Sequence, residues 1–254
     1  MTDSAANAPI MQSDQVVDRV VVVLAKAPVP GRAKTRLTPP ATPEGAAGIA
    51  AAALLDTLDA AAGVAGARVV VALEGDLADA VRGDEIAAAI AGHTVVRQRG
   101  DALGERIEAA HADVAALYPG AATVQIGMDT PQLDADLLDA AFRRVETTAH
   151  AAIGVAHDGG WWAMGLRDPR RAAIIAGVPT SRDDTGARTL DALRQALGDD
   201  AVAELEPLSD VDTADDAVEV AAVVPHGRFA RAVEDHLLTR ERTRPLGALG
   251  GARP

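Results

Sequence analysis

Five consecutive apolar residues, Val20-Val21-Val22-Val23-Leu24, restrict this chain more than any other stretch. A run without polar alternation cannot line a sheet that keeps one face wet. It reads as a strand over about residues 18–25, buried on both faces, and so as the interior of a parallel sheet clad by helices. The strand opens into a segment carrying Lys26, Arg32, Lys34 and Arg36, on a chain whose formal net charge is −13. A cationic loop at the carboxyl end of a buried strand marks an anion site at a sheet edge. The acidic balance elsewhere argues against a nucleic-acid partner, because a phosphate backbone needs a basic face.

The rest of the chain alternates in the same sense. Further strands are expected at 68–73, 94–98 and 123–128. Helices are expected from Pro43 to about Ala62, capped by Thr42 and stopped by Gly63, then at 83–91, at 102–117 capped by Asp101, and at 135–147 capped by Asp134. Alternating strands and helices define an α/β class with a Rossmann-like, mainly parallel mixed sheet. Residues 151–157 and 161–166 flank Asp158-Gly159-Gly160, either as a hairpin or as two strands joined by a glycine-rich site loop. Helices near 169–176 and 184–197, a short strand at 201–205, a helix capped by Asp212 or Thr213 and a last helix at 226–238 complete one domain over 18–238. Residues 1–17 and 239–254 read as flexible tails. Pro28, Pro30, Pro39 and Pro40 suggest that the loop 26–41 is extended and stiff. The 254 residues are 48% hydrophobic but only 2% aromatic, so Ala, Val and Leu must fill the core. The absence of cysteine excludes disulfides, thiolate catalysis and cysteine zinc sites. No run is read as a membrane span and no basic-then-apolar leader begins the sequence, so a cytoplasmic location is expected.

Four groups carry the chemistry. Lys34-Thr35 invites comparison with a phosphate-cradling P-loop, but Pro28 and Ala33 occupy the two positions that need glycine. Phosphate binding therefore falls to side chains, Arg32 as a forked donor and Lys34 as a point charge. Asp129 follows the fourth strand and would overhang the ligand crevice. Beside phosphate-binding cations, such a carboxylate implies Mg²⁺ or Mn²⁺. Asp210, Asp212, Asp215 and Asp216 crowd one turn. Asp215 and Asp216 suit the first turn of a helix, while Asp212 is either a cap or a second metal ligand. Asp158-Gly159-Gly160 precedes Trp161 and Trp162, of which strand alternation sends one inward and one outward. Gln98 to Arg106 also falls at the carboxyl edge. No histidine pair has a metal-ligand spacing, His157 reads as structural, and Ser181 lacks a nucleophile-elbow context.

Taken in order, LAKAPVPGRAKTRL, GDALGERI, IGMDTPQL, DGGWWAMGL and DVDTADD resemble a bacterial family of small glycosyltransferase-A-like proteins, some linked to arsenosugar biosynthesis. That family is similar to the molybdenum cofactor and phospholactate guanylyltransferases. The resemblance spans about residues 18–222 and implies a nucleotide-diphospho-sugar transferase fold. It also implies roles. Leu24, Ala25, Lys26, Gly31, Arg32, Lys34, Gln98 and Gly104 would bind the nucleotide. Asp129 and Asp212 would hold the metal. Gly159, Gly160 and Trp161 would border the acceptor, with Lys34, Arg32 and Asp158 serving catalysis. Met128 stands where the family has Ser or Thr, Trp161 where it has Tyr, and TSRDDTGART where it has a Trp-Ser pair. Two reactions fit this set: glycosyl transfer from a nucleotide-sugar to a small acceptor, and nucleotidyl transfer from an NTP to a small phosphorylated acceptor. A nucleotide-binding module without turnover is the third reading, and a homodimer is compatible with all three.

Overall fold

Strand β1 (Arg19–Lys26) lies third in a seven-stranded sheet ordered β3-β2-β1-β4-β6-β5-β7. The computed structural model describes residues 17–147 and 149–239. The strands are β2 (Ala67–Glu74), β3 (Thr94–Arg97), β4 (Ala122–Ile126), β5 (Ala151–Val155), β6 (Trp161–Leu166) and β7 (Val202–Glu204). β1, β2, β3 and β4 run parallel, β6 is antiparallel to both β4 and β5, and β7 is parallel to β5. Residues 151–166 therefore form the hairpin of the two arrangements their sequence allowed.

The valine run does what its composition requires. Val20, Val21, Val22 and Val23 are all fully buried. Val21 and Val23 pack with Leu54 and Leu58 of α1 (Pro43–Ala62) and Phe142 of α4 (Ala135–Thr147). Val20 and Val22 pack on the other face with Ala110 and Val114 of α3 (Leu103–Leu117). Each such side chain contributes about 1.5–3 kcal/mol of transfer free energy. The remaining helices are α2 (Gly83–Ile90), α5 (Thr185–Leu197), α6 (Ala214–Val223) and α7 (Arg228–Val233).

The sequence order reverses direction between β1 and β4, with β2 on the far side of β1. Loops leaving the carboxyl ends of two such neighbours diverge and open a crevice. Val23 of β1 is level with Ile126 of β4, so the loops starting near Lys26 and Gly127 face each other across it.

Several local expectations change. The loop after β1 is compact rather than extended: Arg32 N and Ala33 N both donate to Val29 O, and Thr35–Leu37 form a single 3-10 turn. Proline's fixed φ suits turns as well as extended chain, and buried Ala33 and Leu37 draw the loop inward. Asp101 does not cap α3; Glu105 reaches back and accepts from the N–H groups of Asp101 and Ala102. Thr42 and Asp134 do cap their helices. Residues 169–175 form a 3-10 helix, and the last helix divides into α7 and a π-helical turn, Glu234–Leu238. Contrary to the sequence reading, α1 is long and apolar enough by composition to cross a membrane, but 78% of that window is buried within the fold, as in a core helix. Asp56 and Asp59 obscured the run in the sequence. The tails assigned to 1–17 and 239–254 lie, apart from Val17 and Thr239, outside the described residues.

Candidate functional site

Lys34 owes its position to its neighbours. Ala33 and Leu37 are spaced to bury together, Leu37 in a cluster with Phe229, Val233 and Leu237. Between them Lys34 takes a left-handed conformation, φ 45° and ψ 46°, which costs a non-glycine residue about 1–2 kcal/mol. The side chain points into a cleft of about 920 Å³ at the carboxyl edge of the sheet. Its ammonium donates to Asp129 Oδ2 at 2.7 Å and to Asp212 Oδ1 at 3.2 Å. Burial pulls the Lys34 pKa down, but the charges and hydrogen bonds of Asp129 and Asp212 more than offset this, and the net direction is up.

The carboxylates arrive from two loops tied together by their backbones. Val211 N donates to Asp129 O at 3.2 Å, and Val211 is itself buried. With Val211 turned inward, its neighbours Asp210 and Asp212 turn toward the cleft. Thr213 caps α6, so Asp212 is left free of that duty, and its second oxygen accepts from Arg36 at 2.9 Å. Asp129 and Asp212 share one ammonium and thus lie far inside the ~10 Å beyond which two carboxylates cannot belong to one directly bound metal cluster.

Asp210 is a participant that sequence reading left in the background. Thr130, 1% exposed, donates to its Oδ1 at 3.0 Å. Burial pushes the Asp210 carboxyl up to about 7, and the negative charges of Asp129 and Asp158 push the same way, against the Thr130 hydrogen bond and the Lys34 charge. Its hydrogen bond from Thr130, 80 residues away, is a tertiary fact that separates it from the aspartates beside it in sequence.

The cleft has two further walls. Toward β3, Gln98 Nε2 donates to Ala25 O and Ala72 O, both at 2.8 Å. Leu24, Ala25 and Lys26 line this corner, as do Arg106, the end of the Gln98–Arg106 segment, and its partner at 2.7 Å, Glu74, which the sequence did not single out. Toward β6, Asp158 Oδ1 accepts from Gly160 N at 2.8 Å, and Asp158, Gly160 and half-buried Trp161 line the wall. Trp162 is the inward partner, 2% exposed, and donates to Glu206 O. Arg32 and Arg36 are exposed at the cleft mouth. Met128 also lines it, where its Sδ accepts from Lys26 N.

Three candidates lie off the cleft lining. Gly31 sits in the turn before Lys34 with φ +72°. Gly104 packs α3 against the 169–175 helix, where a Cβ would stand 2.6 Å from Ala176 O. Gly159, φ +89°, lets the segment 180–184 dock, since a Cβ there would meet Asp183 O at 1.9 Å. They act on backbone geometry, a role that spacing alone does not distinguish from ligand contact.

Among the described residues no group of three His, Cys, Asp or Glu side chains is arranged to hold a metal by itself. The donors present are two carboxylates, Asp129 and Asp212, already clasping a cation. Oxygen donors of this kind, completed by substrate phosphates, fit a hard divalent ion such as Mg²⁺.

The architecture is that of the nucleotide-diphospho-sugar transferase fold. A provisionally named nucleotide-diphospho-sugar transferase from Desulfovibrio desulfuricans G20 is similar at a TM-score of 0.71 and 27% identity, over 88% of this chain and 94% of the other. Residues 57–182 match the model of DUF2064, a family described as uncharacterized and conserved in bacteria. Two more structures share the fold. A cytidylyltransferase from Leptospira borgpetersenii matches at TM-score 0.52 and 12% identity, over 92% of this chain and all 100% of the other. The 4-diphosphocytidyl-2C-methyl-D-erythritol synthase of Anaerococcus prevotii matches at 0.50 and 12%, over 82% and 96%. No curated protein matches the chain.

Proposed function

We propose that this protein is a divalent-metal-dependent transferase that moves a glycosyl group from a nucleotide-sugar to a small acceptor in the cytoplasm. One observation carries the proposal: a largely covered lysine clasped by two aspartates at the switch point of the sheet, with two exposed arginines at the mouth. Arg32 and Lys34 bind the diphosphate, as a fork and a point charge. Asp129 and Asp212 would hold Mg²⁺ or Mn²⁺, which supplies positive charge for the leaving diphosphate. Asp158, one oxygen held by Gly160 N, has the other available to take the proton of an acceptor hydroxyl. That hydroxyl oxygen bonds to the anomeric carbon as the sugar–phosphate bond breaks and its electrons pass to the diphosphate. The provisional assignment of the 27%-identical Desulfovibrio protein agrees in class.

The second reading is nucleotidyl transfer from an NTP. It is favoured by the number of cations that the first loop brings to the cleft, Lys26, Arg32, Lys34 and Arg36, enough for a triphosphate. Calorimetric titration with UDP-, GDP- and dTDP-sugars and with NTPs, with and without Mn²⁺, separates the two. Metal-dependent binding of a nucleotide-sugar supports glycosyl transfer. Metal-dependent binding of an NTP with no nucleotide-sugar binding would overturn it in favour of nucleotidyl transfer.

A further inference from the structure

Gln125 has no part in the chemistry above, yet it lines the same cleft. It is 3% exposed, and no hydrogen-bond partner meets its Oε1. The alternation of β4 explains its direction. Val124 and Ile126 belong to the core under α1 and α4, so Thr123 and Gln125 face α3. Thr123 finds a partner there, His111 Nδ1 at 3.2 Å. Gln125 lies two residues nearer the carboxyl edge. Ile107, one helical turn nearer that edge on α3, offers only carbon.

A buried amide without partners destabilises a fold, and an apolar side chain of similar length would avoid the cost. The larger apolar residues among the cleft lining are informative: Leu24, Leu103, Ile107, Met128 and Trp161. The charged groups of the proposed diphosphate and metal site, Arg32 and Lys34 with Asp129 and Asp212, come from the loops above. The cleft thus includes a neutral portion with one amide at its floor. An amide both donates and accepts, which matches a hydroxyl, or two neighbouring hydroxyls, on a ring whose carbon faces lie against leucine and tryptophan. A nucleobase has similar polar edges, but the corner near Gln98 and Ala25 is on the β3 side of β1. Gln125 is on the other side, level with Met164 of β6, the strand that begins at Trp161.

We propose that Gln125 is a specificity residue that hydrogen-bonds a hydroxyl of the neutral sugar carried by the donor. The proposal rests on the nucleotide-sugar reading of the site. The test compares UDP with UDP-glucose, GDP with GDP-mannose and dTDP with dTDP-glucose, for wild type, Gln125→Met and Gln125→Leu. Both variants are expected to bind the free diphosphate as wild type does and to lose about tenfold or more in affinity for the sugar form, as for one lost hydrogen bond at a buried amide. Gln125→Met is expected to melt no lower than wild type, because it removes an unpaired group. Equal losses for both ligand forms, or no loss for either, overturn the proposal. A lowered melting temperature with unchanged ligand preference marks the amide as structural and overturns it too. A wild type that binds no nucleotide at all refutes the nucleotide reading itself, a result distinct from binding without discrimination at Gln125.

Discussion

The ammonium of Lys34 donates to Asp129 Oδ2 at 2.7 Å across a separation of 95 residues. One residue follows the first strand of the sheet and the other follows the fourth. They meet because β1 and β4 are parallel neighbours whose loops leave the same edge. Asp212 joins them at 3.2 Å, and the three charges become a unit whose parts answer to one another.

Replacing Lys34 with Met removes the shared cation and leaves two carboxylates facing each other. Affinity for a nucleoside diphosphate is expected to fall roughly tenfold to a hundredfold, as for the loss of one charge-assisted bond. Stability is expected to fall by about 1–3 kcal/mol, less than for a fully buried pair because both aspartates are partly exposed. Titration calorimetry and urea unfolding measure the two effects. Unchanged diphosphate binding would remove Lys34 from the site.

Asp129→Asn and Asp212→Asn have effects of opposite sign with and without metal. Without a divalent ion, each variant is expected to bind diphosphate as well as wild type or better, since a negative charge beside the phosphates is gone. With Mn²⁺, each loses the metal-dependent gain. Asp215→Asn, in the first turn of α6, keeps it and serves as the control. An undiminished Mn²⁺ effect in both site variants would rule out the two aspartates as ligands.

The cleft wall formed by Asp158, Gly160 and Trp161, the proposed acceptor side, depends on two glycines in contact. Gly186 N donates to Gly159 O at 2.7 Å, and a Cβ on Gly186 would lie 2.2 Å from Gly160 O. Gly186→Ala must therefore push the segment 180–185 away from Asp158 and Trp161. A stability loss of about 1–3 kcal/mol is expected, with acceptor KM raised and donor affinity nearly unchanged. Equal weakening of donor and acceptor would show that the two walls are not separable.

His111 makes the fold sensitive to acid. It is completely buried on α3, and burial lowers its pKa from 6.5 to about 4. The unfolded chain takes up a proton near 6.5 and the folded chain does not until about 4. Stability from this group is thus fully present above the higher value, falls as pH drops through the window, and levels off below the lower one. The loss is on the order of 3 kcal/mol across the window. In His111→Gln, urea unfolding between these limits is expected to show a flatter pH dependence; the same slope as wild type would assign it to other groups.

Much of this protein is legible in its sequence, and the reason is local. The valine run can only be a strand buried on both faces. Thr42 before Pro43 and Asp134 before α4 are caps whose geometry depends on three or four residues. Lys34, Asp129 and Asp212 stand out because a charged group after a buried strand, or in a tight acidic turn, has few structural uses. Their meeting, however, depends on strand order, which no local pattern encodes. The compact form of the 27–41 loop follows from Leu37 docking on α7, distant in sequence. The raised Asp210 carboxyl, the Glu74–Arg106 wall and the unpartnered Gln125 follow from which faces become buried once the sheet assembles. Sequence by itself determined which residues bear charge and which segments become strand or helix, because those depend on side-chain chemistry and short spacing. Tertiary structure alone decided which charges share a cleft, since burial and distance exist only after packing.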